Sequence, residues 1–303
     1  MKIAFFEIKP EEKSFFEQNL KEHELYFFEK PVNEYEGVFD FDVISVFIHS
    51  KVDKNTLKRF VNLKYIQTRS TGVDHLDLEE IYKRGIVASN VVGYAGPAVG
   101  EFSFSLLFEA IRKTYIAINR LKEGSLYYAD LKGCEIAGKT VGILGLGTIG
   151  KYIAKLALGF NAEVIGFNRS IKNIPGVEYT TNLEYVLKNS DFLFIALPLT
   201  KATKNLINKE NIISFKGKVI VNPARAEIIQ KEVYESFEGI IAADVLPDWD
   251  LAKKENIIAT PHMAYYTKEA LFRIMEISLE NLKDFLNGNK PRNCLKIFYE
   301  KEK

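Results

Sequence analysis

The sequence predicts an α/β fold in two parts, each a parallel sheet covered by helices, with the second part set inside the first. Three observations predict it. Strand-like apolar runs alternate with helical patterns along most of the chain, as in parallel sheets covered by helices. The stretch Thr140–Ser170 reads as a complete strand-loop-helix-strand unit, with Gly145-Leu146-Gly147-Thr148-Ile149-Gly150 at its first turn. The length, 303 residues, suits about two domains of roughly 150 residues each.

Taken in order, Lys2–Phe6 is an apolar run and reads as a strand, and Glu11–Leu20 as an amphipathic helix. Glu24–Phe28 and Val43–Ile48 are strands, Lys54–Phe60 a helix and Tyr65–Thr68 a strand. Leu78–Arg84 is a helix closed by Gly85, and Ile86–Ser89 a further strand. Pro97 then opens a long helix to about Leu121, stopped by Gly124. Phe102, Phe104, Leu106, Leu107, Phe108 and Ile111 make that helix apolar on more than one face, which suits a subunit interface. After the glycine-rich unit, strands are expected at Phe192–Ala196, Val219–Val221, Ile240–Ala243 and Ile257–Ala259. The last element is a helix over Lys268–Leu286, with Thr267 as its cap, Gly288 beyond its end, and Leu271, Ile274, Leu282 and Phe285 on one face. The simplest arrangement has this helix returning to the first part.

In the central unit Val141–Leu144 and Val164–Phe167 are the strands, and Ile149, Ile153 and Leu156 lie on one face of the helix between them. Gly145 permits a tight turn, Gly147 lets a pyrophosphate approach the backbone, and Gly150 lets helix and strand pack closely. The helix N-terminus offers free N–H groups and a positive dipole end to phosphates. The unit therefore predicts a Rossmann-like dinucleotide site.

Composition excludes other classes. The 41 basic and 40 acidic side chains nearly cancel, and no basic stripe argues for nucleic acid or an anionic membrane. Acids interrupt the first apolar run, so no signal peptide is expected, and no segment approaches the roughly 20 apolar residues of a membrane span. The two cysteines, Cys134 and Cys294, make neither a disulfide framework nor a metal site. A soluble, cytoplasmic protein without metal is expected.

Ligands bind at the strand ends of open α/β sheets. Those ends read RSTGVDHLD, VGYAGP, ALPLTKAT, VNPARAEII, ADVLPDWD and ATPHMAYYT. Together with GLGTIG, this set resembles the NAD(P)-dependent D-2-hydroxyacid dehydrogenase family over nearly the whole chain, and HMAYYT and VGYAGP resemble its D-lactate dehydrogenase branch. The resemblance implies two Rossmann-like domains that share the active site, usually in a homodimer. A nucleotide-binding domain, residues 95–262, would be inserted into a flavodoxin-like substrate domain formed by residues 1–94 and the C-terminal helix segment 263–303. It also implies hydride transfer between a nicotinamide and a small 2-oxo or D-2-hydroxy acid of the pyruvate, glyoxylate or hydroxypyruvate class.

The resemblance assigns roles by position. His262 matches the acid/base histidine, a role suited to a side chain that titrates near neutrality. Arg225 matches the substrate arginine, whose guanidinium can hold a carboxylate with two donors; the usual Gly after it is Ala226 here. Thr71 and Gly72 lie in the turn expected to hold the substrate carboxylate, and Tyr94 and Tyr265 match aromatic pocket positions. Gly145, Gly147, Thr148, Ile149 and Gly150 would hold the pyrophosphate, with Leu197, Pro198, Thr203, Pro223, Ala224 and Asp244 as further cofactor contacts. His23, His49 and His75 read as structural, His49 having the best chance of the three of facing a cleft.

Two departures from the family pattern stand out. The second strand of the nucleotide unit ends in Asn168-Arg169-Ser170 instead of an acid. Either this set prefers NADP(H), with NAD(H) possible, or the turn is solvated and indifferent to cofactor. The family's glutamate partner of the histidine is absent. Trp249 stands at its position, between Asp248 and Asp250; either aspartate could replace it through a shifted loop, and Trp249 suits a cleft wall. The competing reading of the whole chain is a nucleotide-sensing, co-repressor-like binding module of the same fold with incidental catalysis. A phosphoglycerate dehydrogenase with a regulatory tail is the less favoured third.

Overall fold

A computed structural model describes residues 1–170 and 172–295. The chain opens with β1 (Lys2–Phe6), α1 (Pro10–Asn19), β2 (Glu24–Phe28), β3 (Val43–Val46), α2 (Lys54–Leu57), β4 (Tyr65–Thr68), α3 (Leu78–Lys83) and β5 (Val87–Ser89). It continues through α4 (Gly96–Arg112), α5 (Thr114–Lys122), β6 (Thr140–Leu144), α6 (Thr148–Gly159), β7 (Glu163–Phe167), β8 (Val177–Thr180), α7 (Leu183–Asn189) and β9 (Phe192–Ile195). It ends with α8 (Lys209–Ile212), β10 (Val219–Asn222), α9 (Lys231–Ser236), β11 (Ile240–Ala243), β12 (Ile257–Ala259) and α10 (Lys268–Leu286). These elements form two compact units, Met1–Tyr94 with the segment from Lys268, and Ala95–Thr267.

The first unit holds a five-stranded parallel sheet in the order β2-β1-β3-β4-β5, the flavodoxin-like order. Its strands are apolar on both faces because both are covered. Ala4, Phe6, Ile44, Val46 and Ile66 face one core cluster; Ile3, Phe5, Val43 and Tyr65 face another, completed by Phe16 of α1 and by Met275, Leu279 and Leu282 of α10. Polar bonds fix α10 as well. Gln67 donates to the Ser278 carbonyl at 2.7 Å, and Asn281, fully buried, donates to the Asn90 carbonyl and accepts from Asn293 N–H. At the end of β4 the buried Arg69 guanidinium donates to the carbonyls of Phe6, Glu7 and Ser45. It thereby ties together the ends of β1, β3 and β4. Burial pulls its pKa below the usual arginine value.

The second unit is a seven-stranded parallel sheet ordered β12-β11-β10-β9-β6-β7-β8. Counted from β6 this is the Rossmann order with one added strand, and the order reverses between β6 and β9, where a dinucleotide site belongs. Val141, Ile143 and Phe194 pack toward α4 and α6; Leu144, Leu193 and Ile195 pack toward α7, α8 and α9.

The long helix expected from Pro97 to Leu121 is two. Lys113 adopts a left-handed conformation, φ 53°, between α4 and α5. The Glu109 carboxylate accepts from the Thr114 hydroxyl at 2.5 Å and from Tyr115 N–H at 3.2 Å. It thus satisfies donors at the start of a new helix. α4 is buried along much of its length, whereas α5 buries no residue. Among the described residues no helix is long and apolar enough to cross a membrane.

Candidate active site

The glycine-rich turn follows β6. Gly145 has φ 99°, and a Cβ there would lie 2.6 Å from the Ala196 carbonyl oxygen. At Gly150 a Cβ would lie 1.8 Å from the Gly145 carbonyl oxygen, so both positions require glycine. At Gly147 it would meet nothing within 4 Å. The first intrahelical bond of α6 is Lys151 N–H to the Gly147 carbonyl at 2.9 Å. Thr148, Ile149 and Gly150 therefore have N–H groups without an intrahelical acceptor. Room beside Gly147 and those donors fit a pyrophosphate. Leu197 packs against Gly145, and the Thr203 hydroxyl donates to the Pro198 carbonyl at 2.6 Å, closing the loop after β9.

At the end of β7, Asn168 serves its own neighbourhood. Its Oδ1 accepts from Leu146 N–H at 3.4 Å, and its Nδ2 donates to the Ser170 carbonyl at 2.9 Å and meets the Ser170 hydroxyl at 3.3 Å. The amide expected to face a phosphate thus ties the glycine-rich turn to the residues after β7. Arg169 is exposed and makes no hydrogen bond or ion pair among the described residues.

Arg225 rises from the turn after β10. Asn222, 1% exposed, accepts from Ala224 N–H at 3.1 Å and donates to the Arg225 carbonyl at 2.9 Å. Behind it, the buried Tyr234 hydroxyl lies 3.4 Å from Asn222 Nδ2 and 3.3 Å from the Ala226 carbonyl. Burial raises the pKa of that phenol, so it stays protonated. Pro223 is buried; Ala224 and Arg225 are half-buried. Arg225 Nη1 also donates to the Ala224 carbonyl at 3.0 Å, folding the side chain along its own turn.

Asp244 follows directly on β11, one strand over, and is 1% exposed. Its N–H donates to the Asn222 carbonyl at 3.0 Å, and its carbonyl accepts from His262 N–H at 2.8 Å. Both carboxylate oxygens are engaged: Oδ1 accepts from the Thr260 hydroxyl at 2.6 Å and Met263 N–H at 2.8 Å, and Oδ2 from Ala264 N–H at 2.9 Å. Sequence reasoning gave Asp244 to the cofactor; its carboxylate also organises the turn that carries His262. That histidine has φ 53°, a conformation costing about 1–3 kcal/mol for a non-glycine residue, so the surrounding turn must hold it there. Tyr265 packs edge-on to it, ring centroids 6.0 Å apart.

Neither aspartate beside Trp249 is turned to the histidine. Asp248 caps its own helical turn through Asp250 N–H at 3.0 Å and meets Lys231 Nζ at 3.2 Å; these two contacts hold its carboxyl below the usual range. Asp250 bonds Lys253 Nζ at 2.6 Å. Trp249 is 80% exposed.

In the first unit the turn after β4 is held from below. The Ser70 hydroxyl donates to the Gly72 carbonyl at 2.7 Å, the Thr71 hydroxyl to the Val91 carbonyl at 2.7 Å, and Asn90 Nδ2 to the Thr71 carbonyl at 2.8 Å. His75 lies 3.0 Å from the Thr68 hydroxyl, a structural contact. Tyr94 is 6% exposed, and its carbonyl accepts from Arg273 of α10 at 2.9 Å. His49 is exposed, and its N–H donates to Glu7 at 3.0 Å. Sequence reasoning missed Asn222, Thr260, Arg69 and Asn90. The only signal for the first two was their place in the strings VNPAR and ATPH.

Comparison with known proteins accords with this architecture. Residues 104–264 match the model of the D-isomer specific 2-hydroxyacid dehydrogenase NAD binding domain. The chain is 32% identical to 2-hydroxyacid dehydrogenase homolog 1 of Schizosaccharomyces pombe, over 97% of this chain and 99% of that one. It is 34% identical to the hydroxypyruvate reductase of Thermotoga maritima, over 77% of this chain and 81% of the relative. Among solved structures, D-lactate dehydrogenase from Aquifex aeolicus, complexed with NAD and lactic acid, superposes with a TM-score of 0.85 at 28% identity, covering 95% of this chain and 96% of that one. The chain belongs to the D-isomer specific 2-hydroxyacid dehydrogenases, nicotinamide-dependent oxidoreductases acting on the CH–OH group of 2-hydroxy acids.

Proposed function

We propose that this dehydrogenase works on a small 2-oxo acid of the pyruvate, glyoxylate or hydroxypyruvate class, with Arg225 and His262 as its catalytic pair. The observation that carries the reading is the placement of both side chains on turns that follow β10 and β12, the two neighbours of β11 in the sheet, each turn bonded to a buried polar residue. The bound nicotinamide supplies or accepts the hydride. Arg225 holds the substrate carboxylate through paired donors and stabilises charge on the adjacent oxygen. His262 gives a proton to that oxygen in reduction and takes it back in oxidation. Thr71 and Gly72 add donors for the carboxylate, and Tyr94 and Tyr265 shape the pocket.

Gly145, Gly147, Thr148, Ile149 and Gly150 would hold the pyrophosphate, with Leu197, Pro198, Thr203, Pro223 and Ala224 along the rest of the cofactor. The reading includes a preference for NADP(H), resting on exposed Arg169 with Ser170, and a homodimer. The enzyme names of the relatives favour it over a co-repressor-like module. The test is the rate of NADPH and NADH oxidation across pyruvate, glyoxylate, hydroxypyruvate and bulkier 2-oxo acids. Turnover of at least one small acid is expected; oxidation with none of them would overturn it.

A further inference from the structure

The two candidate catalytic side chains share one mount. Asn222 and Asp244 are the buried polar residues at the ends of β10 and β11, and the Asp244 N–H to Asn222 carbonyl bond joins them directly. From this joint the Asn222 amide reaches forward to both sides of the arginine turn, Ala224 N–H and the Arg225 carbonyl. The Asp244 carboxylate reaches forward to the histidine turn, Met263 N–H and Ala264 N–H, and Thr260 supplies its one side-chain donor.

Resting on the assignment of Arg225 and His262 above, we propose that Asn222 and Thr260 are positioning residues of the reaction. Asn222 sets the direction of the Arg225 guanidinium through its turn. Thr260, by fixing the Asp244 carboxylate, sets His262 in its left-handed conformation. Each side chain is chemically matched to its task. Asn222 must accept on one side and donate on the other, which an amide does and a carboxylate does not. The Tyr234 hydroxyl meets the same amide at 3.4 Å. Among the described residues Asp244 takes four approaches: one hydroxyl and two N–H groups on its carboxylate, and His262 N–H on its carbonyl. Of these four donors only Thr260 is a side chain, so it alone can be removed without cutting the backbone.

The geometry constrains which kinetic constant each substitution moves. A histidine turned a fraction of an ångström from the reacting oxygen transfers its proton less often, while cofactor still binds. An arginine turn that has relaxed grips the carboxylate less well in ground and transition states alike.

The test uses full-length protein and the 2-oxo acid turned over fastest, with cofactor affinity read from the fluorescence of bound NADPH or NADH. Thr260→Val is expected to lower kcat about ten- to a hundredfold, with cofactor Kd within about twofold of wild type, and Thr260→Ser to restore most of it. Asn222→Ala is expected to raise KM for the 2-oxo acid about tenfold. If that variant does not fold, Asn222→Ser and Tyr234→Phe carry the same expectation in smaller measure. The decisive readout is coupling. Thr260→Val should add almost nothing once His262→Ala is present, and Asn222→Ala almost nothing once Arg225→Ala is present. Independent, multiplying losses would overturn the proposal, as would a Thr260→Val enzyme of wild-type kcat or one whose main defect is cofactor affinity. Wild-type turnover in His262→Ala or Arg225→Ala would instead overturn the assignment of the catalytic pair.

Discussion

Asp248 and Asp250 stand within the string that carries a histidine-pairing acid in relatives, yet each is committed elsewhere, to Lys231 and Lys253. Asp248→Asn and Asp250→Asn are therefore expected to leave the pH profile of reduction unchanged. A profile moved to lower pH in either variant would restore that aspartate as the histidine's partner. Arg169 is a second residue-scale case. With Asn168 occupied by Leu146 and Ser170, the exposed Arg169 guanidinium is the donor proposed for a 2′-phosphate. Arg169→Leu should cost NADPH about tenfold in KM and leave NADH nearly unaffected, since an exposed charge-assisted contact contributes at the low end of about 1.5–3 kcal/mol. Equal effects on both cofactors would mark the turn as solvated and indifferent. Chemistry-bearing types such as His262 and Arg225 were legible because reactive groups are few and sit in strings that fix their place. Asn222 and Thr260 were not, because their work is hydrogen bonding to backbone that only folding brings near.

At the scale of elements, most strands and the ends of α10 could be read from apolar runs and capping residues. The half-exposed edge strand β8 and the short helices α7, α8 and α9 could not, since they carry little periodicity. The break at Lys113 was invisible because Glu109, a good helix former in sequence, acts as the acceptor that starts the next helix. Beyond that break, Arg120 grips Asp130 through two bonds of 2.6 and 2.7 Å and holds its carboxyl down at about 2. A depressed carboxylate pKa means the contact is present above the unfolded value and lost as pH falls through the folded one. Protection of the amides in residues 125–131, corrected for the intrinsic exchange rate at each pH, should thus fall below about pH 4, and Asp130→Asn should remove that pH dependence. α5 leaves Tyr115, Ile118 and Leu121 exposed, and Leu126, Tyr127 and Tyr128 follow on the same segment. If this is the dimer face, Leu121→Lys with Tyr128→Lys should yield monomers by light scattering; unchanged mass would place the interface elsewhere.

The architecture of the whole molecule was legible in outline and not in order. Alternation of strands and helices pointed to parallel sheets, but the strand order β12-β11-β10-β9-β6-β7-β8 depends on right-handed crossovers that periodicity does not record. The return of α10 to the first unit was the simplest arrangement and was implied by the family resemblance, though its apolar periodicity alone could not show it. Its polar ties, Gln67 to Ser278 and Asn281 to Asn90, could not be read, because each joins residues from opposite ends of the sequence. Those ties bear on how the protein is made. On the ribosome, Ile3, Phe5, Val43 and Tyr65 emerge long before Met275, Leu279 and Leu282, the residues that cover them. At roughly 5–20 residues per second, synthesis of the intervening Ala95–Thr267 unit lasts on the order of ten seconds. For that interval the nascent sheet keeps one greasy face only partly covered, by α1, and the inserted unit can finish folding before the unit that began first. Chains stalled after residue 267 should then show a protease-resistant Ala95–Thr267 core beside a cleavable N-terminal segment that binds holdase chaperones, and resistance of that segment should appear only once α10 has cleared the exit tunnel.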